Sequence, residues 1–389
     1  MKTELQIIGR SKSLYDVDLF KFKDEINDAV RDSSFLVVGA AGTIGQAVTK
    51  EIFKRNPRKL HAVDISENNL VELVRDLRSS IGYISGDFQT FALNVGDEIF
   101  KSFIKASNEY DYVLNLSALK HVRSEKDPFT LMRLIKTNIL NSVDLVNSIS
   151  AKHFCVSTDK AANPVNMMGA SKSIMEKFMF SSERNISMAR FANVAFSDGS
   201  LLHGFAKRLE KQQPISAPTD TKRYFVTQQE SGELCLLSVL LGKQREILFP
   251  KDTDELKLTS FADIAVRYLE SRGYTPIIFE TEDEARHFEF MGSKNEWPCY
   301  FFESDTTGEK PFEEFHTENE KIILDRFSSI GVVENSRIID SHMLDNFLKE
   351  IALLKTRNDW SKAEVVSVFQ QVLPNFVHNE LHKNLDEKM

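Results

Sequence analysis

Three cysteines are all that the 389 residues contain, and Cys155, Cys235 and Cys299 are far apart and odd in number. A disulfide framework is therefore excluded, the spacing fits no metal-ligand set, and no metal is expected. Cys155 falls inside an apolar run, where a buried, inert thiol is the natural reading. Long hydrophobic runs are missing too: no apolar stretch approaches the ~20 residues of a membrane span. The opening MKTELQIIGRSKSLYDVD lacks the apolar core of a signal peptide. A cytoplasmic protein with no membrane partner is the expectation. Positive charge is also short. The formal net charge is −8, and no basic run appears, which argues against a nucleic-acid partner. Neither an internal repeat nor a low-complexity tract interrupts the chain.

What is present is alternation. Ser34 to Val38, Leu60 to Val63, Phe91 to Val95, Tyr112 to Leu116, His153 to Val156 and Ile186 to Arg190 read as strands, with helical patterns between them. Among these patterns are helices over 66–80 and 131–149. This predicts an α/β protein: a Rossmann-type doubly wound parallel sheet, a smaller mixed α/β substrate domain and a helical C-terminal tail. The boundaries read as 1–32 for a helical preface, 33–195 for the dinucleotide domain, 196–334 mainly for the substrate domain and 335–389 for the tail. Leu19, Phe20, Phe22 and Ile26 are the preface's candidate contacts.

Gly39-Ala-Ala-Gly42-Thr43-Ile44-Gly45 directly follows the first strand and opens a helix. Glycines there permit a tight turn and let the backbone approach a pyrophosphate, which then meets free N–H groups at the helix start. Asp64 ends the second strand about twenty residues after the glycines, where an acidic side chain accepts hydrogen bonds from the adenosine ribose. A carboxylate repels a 2′-phosphate, and no Arg follows, so NAD is expected rather than NADP. Asn94 and Val95 are placed to flank the adenine. Ser117 and Ala118, small residues at a strand end, let a flat cofactor lie close. Lys120 and His121 beside them suit a substrate phosphate. Asn138, polar amid an apolar helix, needs a partner.

The fifth strand runs into Ser157-Thr158-Asp159-Lys160, and Lys172 follows one turn into the next helix. A hydroxyl, a carboxylate and two amines thus gather at the carboxyl edge of a parallel sheet, where ligands bind. Met168, preceded by Met167, reads as core packing.

With these pieces in view, the chain resembles the extended short-chain dehydrogenases/reductases. Within them it resembles the UDP-N-acetylglucosamine 4,6-dehydratases of bacterial polysaccharide and amino-sugar synthesis. GAAGTIGQAV at 39–48, SALKHV at 117–122, TNILNSVDLV at 137–146, STDKAANPVNMMGASK at 157–172, MARFANVAFSDGS at 188–200, TKRYFVT at 221–227 and TGEKPFEEF at 307–315 carry the resemblance. It implies tightly held NAD and a UDP-sugar substrate. The reaction it implies yields UDP-2-acetamido-2,6-dideoxy-hexos-4-ulose by C4 oxidation, loss of water across C5 and C6, and hydride return to C6. It also implies Asn193, Ser200 and Arg223 as nucleotide-sugar residues, and a homo-oligomer formed through helices 131–149 and 171–180. Asp159 is then the acid at the 6-oxygen, Lys160 the base at C5, Thr158 the partner of the 4-hydroxyl and Lys172 the holder of the nicotinamide ribose. Two departures stand out. Met168 occupies the position of the usual tyrosine, as in a membrane-anchored branch of the family whose C5 outcome is retention. Thr306-Thr307 replaces an Arg-Pro pair. Two other readings compete: a UDP-sugar 4-epimerase, which needs no C5/C6 acid–base pair, and a non-catalytic NAD-binding regulatory protein, which the lost tyrosine would suit.

Overall fold

Six parallel strands build the half of the molecule that carries the glycine loop. In the computed structural model they are β1 (Ser34–Val38), β2 (Lys59–Asp64), β3 (Asp87–Ala92), β4 (Tyr112–Asn115), β5 (Lys152–Thr158) and β6 (Ile186–Phe191). The structure describes residues 3–107, 109–251, 255–290, 295–304, 310, 312–335 and 339–378. The strands lie side by side in the order β3, β2, β1, β4, β5, β6. The order reverses between β1 and β4, which opens a crevice at their carboxyl ends. All five residues of β1 are buried, as expected for a strand covered on both faces.

Two elements differ from the sequence expectation. β3 pairs with β2 from Lys59↔Asp87 to Asp64↔Ala92, so Asn94 and Val95 lie beyond its end. DFQTFA is a half-exposed edge strand with mixed polarity, and an apolar run was the wrong template for it. The helix expected over 131–149 is interrupted. It runs as Pro128–Ile135, a π-turn at Lys136–Leu140 and Asn141–Ser148. Asn138 sits within that turn, and such turns recur at functional sites.

The sheet does not stop at residue 195. Glu246–Pro250 adds parallel to β6, and Ile330–Glu334 and then Lys321–Ile323 continue it antiparallel. Helix Gln228–Leu241 packs on helix Thr43–Phe53, which follows the glycine loop. Helix Gln228–Leu241 and strands Glu246–Pro250, Lys321–Ile323 and Ile330–Glu334 therefore belong with the large sheet, so the stretch 196–334, expected mainly as the substrate domain, contributes to both lobes. The smaller lobe retains a parallel sheet of Thr275–Phe279, Glu296–Phe302 and Ile215–Pro218. Its core includes Phe205, Ile264, Tyr268 and Trp297.

The preface divides between the lobes. Ile7 and Ile8 join the smaller core, while Ile26 and Val30 join the larger one. Phe20, expected as a contact, is 81% exposed. At the other end, helices Ser341–Arg357 and Lys362–Val372 lie on the large lobe. Phe347 meets Phe178, and Trp360 donates to the Pro128 carbonyl at 2.9 Å. A subunit contact was expected from helices 131–149 and 171–180; the observed helices Pro128–Ile135 and Met167–Ser181, which overlap them, are thus partly covered within the chain. No helix among the described residues is long and apolar enough to cross a membrane.

Candidate active site

Gly39 follows β1 directly at φ +77°, and a Cβ there would lie 2.7 Å from the Ser117 nitrogen. Only glycine suits a left-handed turn pressed this closely against a neighbouring backbone. The loop is braced from the next strand. Asp64 accepts from the Ala41 N–H at 3.0 Å and from the Ser66 N–H at 2.9 Å. Ser66, not Asp64, caps helix Glu67–Ser80. The Thr43 hydroxyl accepts from the Asp198 N–H at 3.0 Å, tying the loop to the start of the smaller lobe.

Two cavities flank the loop and share Gly39, Gly42, Leu116 and Ala118. The first, about 470 Å³, is walled by Asp64, Asn94, Val95 and Ser117. The second, about 310 Å³, is walled by Thr43, Ile44, Gly45, Lys120, Thr158, Asp159, Lys160, Lys172 and Asn193. Every residue expected at the dinucleotide lines one or the other. The crevice is also supported from behind. Asn138 accepts from Leu119 N–H at 2.9 Å and donates to the Leu119 carbonyl and the Ser171 hydroxyl, both at 3.0 Å. One amide thereby joins segment 117–121 to the helix that carries Lys172.

That helix, Met167–Ser181, is capped by Asn166, which accepts from the Gly169 N–H at 2.9 Å. Glu125 accepts from the Met167 N–H at 2.6 Å and adds a carboxylate at the helix start. Lys172 is buried, donates to the Val156 carbonyl at 3.0 Å, and burial lowers its pKa to about 8. At the strand end, Thr158 donates to Asp159 at 2.8 Å. The same carboxylate oxygen accepts from the Lys160 N–H at 2.8 Å and from Lys160 Nζ at 3.0 Å. Asp159 is 3% exposed, so this ion pair is not a solvated surface pair. Met167 joins the apolar core; Met168 is buried as expected and its side of the helix also lines the second cavity.

The remaining expected substrate residues separate. Lys120 and Asn193 line the second cavity, and Asn193 Nδ2 is buried with no hydrogen-bond partner. Burial lowers the pKa of Lys120 against the opposing pull of Asp198. His121 is not in the cavity wall. Burial, Lys120 and Arg123 together lower its pKa, favouring the neutral ring. The Ser200 hydroxyl accepts from the His203 N–H and caps helix Leu201–Glu210. Arg223 is buried and donates to the Lys310 carbonyl at 2.9 Å, so it holds a loop and does not line the cavity. Thr306 and Thr307 lie outside the described residues.

Three participants had not been anticipated. Arg133 and Lys136 add two cations to the first cavity. Glu313, 3% exposed, stands 4.0 Å from Lys160 Nζ. Only their place on one helix could have suggested the first two, and no local pattern marks the third.

The family profile described as "Polysaccharide biosynthesis protein" matches residues 35–334. An uncharacterised membrane protein of Methanocaldococcus jannaschii is 28% identical over 362 residues, 85% of this chain and 99% of that protein. The capsular polysaccharide biosynthesis protein CapD of Staphylococcus aureus is 27% identical over 380 residues, 92% of this chain; the match spans 57% of CapD. Among solved structures, DesIV, a dTDP-glucose 4,6-dehydratase of Streptomyces venezuelae with NAD and TYD bound, superposes with a TM-score of 0.52. It is 15% identical, and the match covers 70% of this chain and 88% of that one. This last likeness is one of fold.

Proposed function

Because the chain belongs to the polysaccharide biosynthesis protein family, we propose that it is an NAD-dependent nucleotide-sugar enzyme that dehydrates UDP-N-acetylglucosamine across C5 and C6. The observation that carries this reading is the Asp159–Lys160 pair, hydrogen-bonded at 3.0 Å in the cavity that begins at the glycine loop. An epimerase needs no such pair.

The crevice fits the dinucleotide. Gly39 leaves a cradle that a Cβ would fill, and Asp64 and Ser117 line the cavity next to it. The glycine loop would face the pyrophosphate and Asp64 the adenosine ribose. When bound, NAD supplies the acceptor for the C4 hydride and returns that hydride to C6.

The protein's own groups handle protons. Moving one proton along the 3.0 Å hydrogen bond turns the Lys160 ammonium and Asp159 carboxylate into a neutral amine and a neutral acid. The amine then takes the C5 proton, which is acidic once C4 is a ketone. The acid gives its proton to the departing 6-hydroxyl, which leaves as water. Afterwards Lys160 is again an ammonium and Asp159 again a carboxylate. The ammonium, its protons exchanged with solvent, gives one back to C5 as the hydride reaches C6, and the proton that Lys172 took returns through solvent to restore the starting pair. Thr158 orients the 4-hydroxyl. In place of the missing tyrosine, Lys172 takes the 4-hydroxyl proton; burial brings its pKa to about 8, so a useful neutral fraction exists near neutral pH. The unpartnered Asn193 amide and Lys120 suit polar groups of the sugar nucleotide.

The test is incubation with UDP-N-acetylglucosamine in deuterated water, followed by proton NMR. A new C6 methyl signal with deuterium at C5 is expected. A galacto epimer without the methyl would replace this reading by an epimerase. No change with any UDP-sugar, even with NAD supplied, would leave a non-catalytic dinucleotide-binding protein.

A further inference from the structure

Lys160 faces two carboxylates, not one. Glu313 lies on the segment after Lys310, and its Oε1 stands 4.0 Å from Lys160 Nζ and 4.0 Å from the Arg223 guanidinium. Its Oε2 is 3.9 Å from Lys310 Nζ, and this oxygen is buried with no hydrogen-bond partner. Three cations thus surround a carboxylate without donating a hydrogen bond to it. Burial raises its pKa, Lys160 lowers it, Asp159 raises it, and Arg223 and Lys310 lower it; the net direction is upward. A buried carboxylate left partly unbonded costs stability. A structural anchor would be fully bonded, as Glu230 is by Arg10 and the Leu14 N–H.

The segment is docked onto the catalytic loop. Lys310 Nζ donates to the Asn163 carbonyl, Asn163 Nδ2 donates to Glu314 at 2.9 Å, and Arg223 donates to the Lys310 carbonyl. Glu313 is therefore carried to Lys160 on a clasp from a distant part of the chain. Resting on the dehydratase reading, we propose that Glu313 is a positioning residue of the acid–base pair, a second anion that keeps Lys160 in place. The physical need arises during turnover. Once Asp159 has accepted the proton it is neutral, and its attraction for the amine falls. Glu313 then keeps Lys160 aimed at C5 and stabilises the ammonium that forms as the C5 proton arrives.

The experiment uses Glu313→Gln, which keeps shape and removes charge, and Glu313→Asp, which keeps charge and shortens reach. Two readouts are taken on each full-length protein. The first is turnover of UDP-N-acetylglucosamine. Glu313→Gln should lower kcat about tenfold with KM within twofold, and Glu313→Asp should recover part of the loss. The second needs no turnover. The rate of reductive methylation at Lys160, followed by peptide mass spectrometry, should rise severalfold in Glu313→Gln, because the amine has lost one of its two anions. Unchanged labelling of Lys160 overturns the proposal whatever the substrate, and so does an unchanged kcat in an active enzyme. Faster labelling in a protein that makes no methyl product overturns the substrate assignment and leaves the positioning role standing.

Discussion

The two cavities beside Gly39 are built in opposite ways. The first is built mainly on backbone, a glycine turn and the ends of β1, β2 and β4, with Asp64, Arg133 and Lys136 as its charged side chains. The second is made of charge: Asp159, Lys160, Lys172 and, just behind its wall, Glu313, delivered from separate parts of the fold. Backbone geometry tolerates no added atom but performs no proton transfer. A charged cluster can lose a member and still fold. Substitutions should therefore act differently on the two sides.

The largest effect belongs to the charged side. Asp159→Asn or Lys160→Met should lower kcat by about 10²–10⁴-fold, the usual worth of a positioned acid or base. NAD retention should not change, since neither residue shapes the first cavity. Single-turnover kinetics together with absorbance of released cofactor would check this. A variant that kept its rate would remove the pair from the chemistry.

Gly39→Ala tests the backbone side. A left-handed φ of +77° costs a non-glycine residue about 1–3 kcal/mol, before the clash of its Cβ with the Ser117 nitrogen is counted. The melting temperature should fall by several degrees and copurifying NAD should be lost. Asp159→Asn should show neither change.

These differences also explain what could be read in advance. The glycine loop is legible because turn, strand end and helix start are consecutive in the chain, as are Thr158, Asp159 and Lys160. Asn138 announced itself as a polar group that needed partners, although nothing local revealed that those would be Leu119 and Ser171. β3 was misplaced because an edge strand carries a weaker apolar signal than a buried one. Glu313 was invisible. Its neighbours Lys160 and Arg223 are distant in sequence, and burial beside them is a property of the folded chain alone. Arg223 shows the reverse case: a motif match marks the residue, and only the fold shows that its side chain holds the Lys310 carbonyl.

The pH profile sharpens the comparison within the second cavity. With its pKa lowered to about 8, Lys172 gains its neutral form as pH rises. If it takes the 4-hydroxyl proton, kcat should climb roughly tenfold between pH 7 and 9 and level off above that. If it serves only as an ammonium that holds the cofactor ribose, activity should instead fall over the same range. Lys172→Arg, which stays charged, separates the two: it abolishes turnover in the first case and preserves part of it in the second.

The smallest effect contrasts two side-chain helix caps, a serine hydroxyl and an asparagine amide, one in each region. Ser66 accepts from the Asn69 N–H at 3.4 Å on an exposed helix end beside Asp64. Asn166 accepts from Gly169 at 2.9 Å in a buried setting, at the start of the helix that bears Met168 and Lys172. Removing either cap with alanine should cost about 1 kcal/mol of stability, less for the long, exposed bond at Ser66. Only Asn166→Ala should also lower kcat, because a frayed first turn moves the start of the helix that aims Lys172. Thermal melts and kcat measured on both variants would decide it. Equal rate losses would mean that helix-end order governs both cavities alike, and that the division between a backbone-built and a charge-built side is too sharp.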